Sequence, residues 1–138
     1  SGSCHMLYHF VNLYPENISK IKSQIYDSPC HLIGTVPSLN KMYGIPENIG
    51  ELIVDNIFSD CKRTSEDFMK NPLINDIPTG LITSENDIIS SKISINKMID
   101  NWEIDDLKRL KTDSKHLGSF KDYPQEYKKF CTNISNAC

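Results

Sequence analysis

The feature that most constrains the fold of this chain is a series of amphipathic helical stripes, of which the clearest follows Pro46. Apolar residues recur there at positions i, i+3, i+4 and i+8, which share one face of an α-helix: Ile49, Leu52, Ile53 and Ile57. Proline suits the first turn of a helix, and the acid of Glu47 complements the positive end of the helix dipole. The pattern therefore predicts a helix over about 46–60.

The same four residues, Pro-Glu-Asn-Ile, begin earlier at Pro15, and apolar residues again follow at helical spacing as Ile18, Ile21 and Ile25. This pattern predicts another helix over about 15–26. Beyond the four shared residues the two stretches drift apart by one position. A common way of starting a helix therefore explains them more simply than an internal repeat does.

Local signals predict three further elements. The apolar run over 30–36 lies between two prolines and indicates a short strand. Thr64 offers a hydroxyl cap and Asn71 precedes a proline, so a brief helix is expected between these two residues. Near the end of the chain, a proline opens an apolar stripe that predicts a final helix over about 124–136.

The segment over 81–95 is ambiguous. Alternating isoleucine and serine residues favour a hairpin, whereas Ser84 could instead cap a helix. From Ser94 onward, apolar residues at helical spacing predict one long or two short helices over about 95–112.

The length and composition of the chain suit one domain. With 138 residues, 38% of them hydrophobic, the chain can bury one core and is short for two. We therefore expect the α+β class, as a mainly helical single domain of about five helices with one small β element or hairpin. This domain should cover 7–138, as a whole protein or as a fragment of a longer one. Residues 1–6 resemble a cloning remnant.

Charge and hydropathy limit the expected partners. The net charge of -3 and the pI of about 5.8 argue against a nucleic-acid partner, because such domains are commonly basic. No apolar stretch approaches the roughly 20 residues that cross a bilayer, and no leader sequence opens the chain. No membrane partner is therefore expected.

The five cysteines are odd in number and include no C-x-x-C pair, so the sequence offers no zinc-finger spacing. We expect reduced thiols in an intracellular protein of the cytoplasm or nucleus. Many isoleucines beside a single alanine indicate an AT-rich genome and carry no information about activity.

No local motif requires a particular chemistry. Cys30 and His31 are adjacent, but neighbouring side chains on a strand point to opposite faces, so this imidazole cannot act on this thiol. His116 precedes Gly118 and is interpreted as a cation at a helix C-terminus. The glycines are scattered and form no phosphate loop, and the acids around Trp102 lack the order of a calcium loop. We therefore predict no catalytic, cofactor-binding or metal-binding residue, and no cofactor.

These observations favour a non-enzymatic protein–protein interaction module, such as an adaptor or regulatory domain, whose partner is another protein and not a small molecule. The proline-containing loop over 71–80 is the candidate contact surface, and the turn after Tyr43 is a second one. The predicted partner-binding residues are Tyr43, Leu73, Ile74, Ile77 and Pro78.

Two alternatives stay open. One is a small cysteine-dependent enzyme, in which Cys30 or Cys61 is the nucleophile and His31 or His116 is the base. The other is a nucleic-acid or chromatin-associated module with a basic face inside an acidic average. A thiol that reacts at mildly acidic pH would favour the first alternative, and binding that weakens steeply with salt would favour the second.

Overall fold

The computed structural model of the protein describes residues 10, 11, 13–30 and 35–137. Within them, three parallel strands form a sheet in the order β1-β2-β3: β1 (Gln24–Asp27), β2 (Thr79–Ser84) and β3 (Leu107–Thr112). Tyr26 of β1 pairs with Leu81 of β2, which pairs in turn with Arg109 of β3. Because all three strands run the same way, their carboxyl ends meet at one edge of the sheet.

Helices make the crossovers that parallel strands require. They comprise a 3-10 helix (Pro15–Lys20), α1 (Val36–Tyr43), α2 (Glu47–Ile57), α3 (Ser59–Lys70), α4 (Lys92–Asn101), α5 (Ser119–Asp122) and α6 (Pro124–Ser135). Three of them, α1 to α3, lie between β1 and β2, and α4 lies between β2 and β3. The protein is therefore a mixed α/β fold with a high helix content, as expected, but its β element is a parallel sheet and not a hairpin. None of the described helices is both long and apolar enough to cross a membrane.

Side chains pack on both faces of the sheet. On one face, Tyr26, Phe68 and Trp102 form an aromatic cluster with ring centroids 5.0 to 5.2 Å apart, and the indole N–H donates to the Phe68 carbonyl at 2.9 Å. On the other face, α6 lies so close that a Cβ added at Gly80 would be 3.0 Å from Phe130 and Ile134. The central strand is thus buried between two helical layers, which fixes the position of its carboxyl end.

The predicted helices with the strongest apolar stripes are confirmed. The prediction over 46–60 corresponds to α2 and the prediction over 124–136 to α6. The brief helix expected before Asn71 also exists as α3, which ends there but begins earlier, at Ser59.

Two helix predictions are wrong because strand pairing overrides the helical spacing. The segment over 15–26 is helical only to Lys20, and its last residues form β1, where Gln24 and Tyr26 alternate with less buried neighbours. The segment over 95–112 is helical only to Asn101 and then forms β3. This strand lies at the edge of the described sheet and carries exposed cationic side chains, which hide its β pattern: Lys108, Arg109 and Lys111.

The ambiguous segment over 81–95 is neither a hairpin nor a helix capped by Ser84. Its first residues complete β2, which is buried along nearly its whole length and therefore shows no alternation. Helix α4 begins only after Ser91, whose hydroxyl accepts the N–H of Ser94. The strand predicted over 30–36 falls largely on residues outside the described ones, and α1 already begins at Val36.

Candidate active site

Each of the three strands is followed closely by a polar residue at the carboxyl edge of the sheet. Ser28 comes directly after β1, Asp87 lies three residues after β2, and His116 lies four residues after β3. In sheets of parallel strands, ligands bind in the crevice outside this edge. The fold therefore gathers residues that are far apart in the chain at the place where such proteins carry their sites.

Asp87 and His116 are in direct contact. The Oδ2 atom of Asp87 lies 2.8 Å from Nδ1 of His116. The aspartate side chain is only 1% exposed, whereas the histidine side chain is 16% exposed. The carboxylate is thus sealed inside the protein, and the imidazole lies between the carboxylate and the surface.

Two backbone groups fix the other oxygen of Asp87. Its Oδ1 accepts the N–H of Ile89 at 2.8 Å and the N–H of Ser90 at 2.9 Å. Burial alone would raise the pKa of Asp87, but the bonds from Ser90, His116 and Ile89 outweigh burial and hold this pKa below its usual value. Asp87 is therefore a carboxylate at neutral pH and accepts hydrogen bonds only.

The charge of Asp87 determines which nitrogen of His116 carries the proton. Because the carboxylate can only accept, Nδ1 donates, and in the neutral ring Nε2 then holds a lone pair. Among the described residues, none forms a hydrogen bond with Nε2. His116 therefore presents an oriented base whose reactive nitrogen has no partner in this part of the chain.

Hydrogen bonds between the loops that follow β2 and β3 hold the pair together. The hydroxyl of Ser84 donates to the carbonyl of Ser114, and the side-chain amide of Asn86 donates to the carbonyl of Asp113 at 2.6 Å. The backbone N–H of Glu85 extends the pairing to β3. These bonds link the loop that carries Asp87 to the loop that carries His116. They therefore hold the two side chains within contact distance.

Ser28 and Leu117 adopt left-handed backbone conformations, with φ of 48° and 56°, which cost a non-glycine residue of the order of 1–3 kcal/mol. They meet through a long hydrogen bond of 3.4 Å from the N–H of Leu117 to the hydroxyl of Ser28. The Ser28 carbonyl also accepts the hydroxyl of Ser90 at 2.8 Å. Strained backbone of this kind recurs at active sites, and here it lies beside His116.

A tyrosine and a cysteine on α6 lie near the end of β1. The hydroxyl of Tyr127 donates to Asp27 at 3.1 Å, and burial, followed by the charge of Asp27, raises the pKa of Tyr127 to about 12. Burial is also the main reason why the pKa of Cys131 is raised, and the Asp27 carboxylate adds to this effect. Cys131 is therefore a protonated thiol and a poor nucleophile at neutral pH.

The predicted partner-binding residues lie on two separate elements. Tyr43 ends α1 with 67% of its surface exposed. Leu73 packs partly buried against the aromatic cluster, and the carbonyl of Ile74 accepts the side-chain amide of Gln24. Ile77 and Pro78 are half-buried in a cleft whose other walls carry acids. Partner binding by these residues stays a prediction.

The structure corrects the interpretation of His116, which lies in a loop after β3 and not at a helix C-terminus. Its partner is Asp87, not a cysteine. Cys61 and Cys131 are free thiols, and His31 lies outside the described residues. Within the described ranges, no group of three or more histidine, cysteine or acidic residues could hold a metal ion.

The sequence alone does not bring Asp87 and His116 together, because its pattern over 95–112 predicts a helix where the structure has β3. The available signal is an acid, Asp87, that follows the apolar run Leu81-Ile82 by a few residues. This signal points to His116 only when the pairing of β2 with β3 is known.

Comparison with solved structures shows a shared fold. The chain is similar to an esterase from Pyrococcus furiosus, Pf2001, with a TM-score of 0.61 and 16% identity over 91% of this chain and 48% of the esterase. The same esterase in a second crystal form gives a TM-score of 0.58 at 14% identity. No protein-family model and no curated protein matches the sequence. The chain thus spans about half the length of the esterase that it resembles.

Proposed function

We propose that this chain supplies the acid and the base of a hydrolase that cleaves carboxylic esters through a nucleophilic side chain. The observation that carries the proposal is the contact between a buried, ionised Asp87 and Nδ1 of His116, which leaves Nε2 as a base. This is the arrangement by which an aspartate orients the histidine of a nucleophile–histidine–acid triad. The similarity in fold to an esterase supports the choice of ester cleavage.

In the proposed reaction, Nε2 of His116 takes the proton of a serine nucleophile as the serine oxygen attacks the ester carbonyl. Asp87 stabilises the imidazolium that results. The ring then returns the proton to the departing alkoxide, which leaves as an alcohol. Water, deprotonated by the same nitrogen, cleaves the acyl-enzyme to the carboxylic acid and restores the nucleophile.

None of the described residues forms a hydrogen bond with Nε2 of His116, so we propose a nucleophile outside them. In α/β-hydrolases the order along the chain is nucleophile, acid, histidine, so the nucleophile would precede Asp87. Ser28 also precedes Asp87, but its side chain is buried and its hydroxyl contacts Asp27 and the N–H of Leu117. We therefore do not assign the nucleophile to Ser28.

Hydrolysis of p-nitrophenyl acetate by the full-length protein tests the proposal. We expect His116→Gln to lower kcat/KM by more than about a thousandfold, since loss of the base removes most of the triad's contribution. Lys115→Gln introduces the same residue at the exposed neighbouring position and should retain the activity. Equal activities of the two variants, with both folded by circular dichroism, would contradict the proposal.

A further inference from the structure

We infer that Ser90 is a positioning residue that keeps the proton of neutral His116 on Nδ1 and thereby keeps Nε2 free to act as the base. This inference rests on the proposed function, whose base is the same imidazole. Ser90 touches none of the reacting atoms of that reaction, and it acts through His116 and Asp87.

Ser90 is built into the site by three contacts. The residue is only 5% exposed, and its backbone N–H donates to Oδ1 of Asp87 at 2.9 Å. Its Oγ atom lies 2.8 Å from the carbonyl oxygen of Ser28 and 3.4 Å from Nδ1 of His116. One residue thus contacts the acid, the histidine and the strained turn after β1.

The direction of these bonds follows from the chemistry of the Ser28 carbonyl. A carbonyl oxygen only accepts, so the single hydroxyl proton of Ser90 points to Ser28. The side of Oγ that faces His116 then offers a lone pair. Nδ1 therefore meets two acceptors, Oδ2 of Asp87 and Oγ of Ser90, and is stabilised when it carries the proton.

The opposite tautomer, with the proton on Nε2, would place the Nδ1 lone pair against both acceptors. Ser90 could relieve this repulsion only by turning its hydroxyl toward His116, which would break its bond with Ser28. Each of these changes costs the equivalent of a buried hydrogen bond. Through Ser90, the Ser28 carbonyl thus reinforces the tautomer that the Asp87 carboxylate already favours.

The left-handed conformation of Ser28 presents this carbonyl to Ser90. The turn is anchored on the sheet by the Ser28 N–H, which donates to the carbonyl of Ile82 at 2.9 Å. The Ser28 hydroxyl accepts the N–H of Leu117, the residue that follows His116. The strained turn is therefore tied to the central strand and to the histidine loop at once.

Imidazole ¹⁵N chemical shifts of the ¹⁵N-histidine-labelled full-length protein test the inference, because they report the share of each neutral tautomer. The signals of His116 are identified by their absence in His116→Gln, and the spectra are recorded at a pH at which the ring is neutral. We expect the Nδ1–H form to dominate in the wild type. Ser90→Ala should raise the share of the Nε2–H form about three- to tenfold, as expected for the loss of one hydrogen bond.

Two variants give this experiment its controls. Ser114→Ala removes a buried hydroxyl without a hydrogen-bond partner among the described residues, two positions before His116, and should leave the tautomer ratio unchanged. Ser90→Thr keeps the hydroxyl and should restore most of the wild-type ratio. A wild-type ring that carries its proton on Nε2 would overturn the inference, as would a Ser90→Ala ratio equal to that of Ser114→Ala.

Kinetics separate the inference from the function on which it rests. In ester hydrolysis, Ser90→Ala should lower kcat by less than about twofold with KM unchanged, because the Nδ1–H form stays the major one, and Ser90→Thr should recover the loss. If the full-length protein hydrolyses no ester, the proposed function fails while the tautomer ratios still decide the role of Ser90. If hydrolysis depends on His116 but the ratios do not depend on Ser90, only this inference fails.

Discussion

Acidic residues lie at both the carboxyl edge and the amino edge of the sheet, but their surroundings differ. At the carboxyl edge, Asp87 is sealed from solvent and receives three hydrogen bonds. At the amino edge, the loops before β2 and β3 form a cleft with exposed acids: Asp76, Glu103, Asp105 and Asp106. The carboxylate of Asp106 is 70% exposed, and its ion-pair partner among the described residues is an exposed lysine, Lys108, at 3.3 Å.

Burial with dedicated hydrogen-bond donors, and not the number of acids, marks a carboxylate with a role in chemistry. A buried charge is costly unless it is paired, so its retention needs an explanation that an exposed acid does not. An exposed ion pair contributes little. We therefore place the chemistry at the carboxyl edge, although the amino edge carries four exposed acids.

The largest expected effect is on kcat/KM, and it distinguishes the two edges of the sheet through one matched substitution at each edge. Asp87→Asn should lower kcat/KM for ester hydrolysis by about 10³- to 10⁴-fold, since an amide can donate to Nδ1 and favours the wrong tautomer. Asp106→Asn makes the same change at the amino edge and should leave kcat/KM within about twofold of the wild type. Steady-state kinetics of the full-length protein measure both, and a similar loss in both variants would remove the distinction between the edges.

The stability of the fold at acid pH gives a second contrast. The pKa of Asp87 lies below the ordinary value of 3.8, so its contribution to the free energy of unfolding is present above that pH. As the pH falls below 3.8, the unfolded chain binds the proton more readily than the folded one, and the contribution is lost. In Asp87→Asn the free energy of unfolding, measured by urea denaturation at several pH values, should therefore fall less steeply as the pH is lowered. A decrease as steep as that of Asp106→Asn would contradict this expectation.

A third effect appears at alkaline pH, where Tyr127 contacts Asp27 at the end of β1. The pKa of Tyr127 is about 12 in the folded protein, against an ordinary value of 10.0. The contribution of Tyr127 to the free energy of unfolding is therefore fully present below pH 10 and is lost as the pH rises through 12. Tyr127→Phe should reduce this loss in denaturant titrations. Tyr43→Phe, at an exposed position, is the matched control and should behave as the wild type does.

The smallest effect concerns the strain beside His116. Leu117→Gly should raise the free energy of unfolding by about 0.5–1 kcal/mol, because glycine adopts φ of 56° without steric cost and the lost side chain is 52% exposed. Leu13→Gly removes a leucine that is also exposed, at 72%, from a helical position and should instead lower the free energy of unfolding by about 1 kcal/mol. Chemical denaturation measures both changes, and the same sign in both variants would show that Leu117 is not strained.

The parts of the fold that depend on local pattern could be predicted from the sequence. Helices α2 and α6 follow from apolar stripes that begin at Pro46 and Pro124, and α3 ends at the expected Asn-Pro stop. The residues of each of these helices indicate the helix by themselves, whichever other segment the helix packs against.

The sheet and the site could not be predicted in this way. β1 has only four residues, and its Ile25 continues a helical spacing, while the cations of β3 conceal a strand. Asp87 and His116 lie 29 residues apart, and their contact follows only from the parallel pairing of β2 with β3. The chemistry of this chain is therefore a product of its topology, which no local motif encodes.

Covalent labelling of the full-length protein with a fluorophosphonate probe tests whether His116 activates a nucleophile, because the probe reacts with serine nucleophiles that a histidine activates. We expect one adduct by mass spectrometry, on a residue that precedes Asp87 in the chain. Its rate of formation should fall by more than about a hundredfold in His116→Gln and stay unchanged in Lys115→Gln. A folded wild-type protein that forms no adduct, or an adduct that forms as fast without the imidazole of His116, would contradict the account.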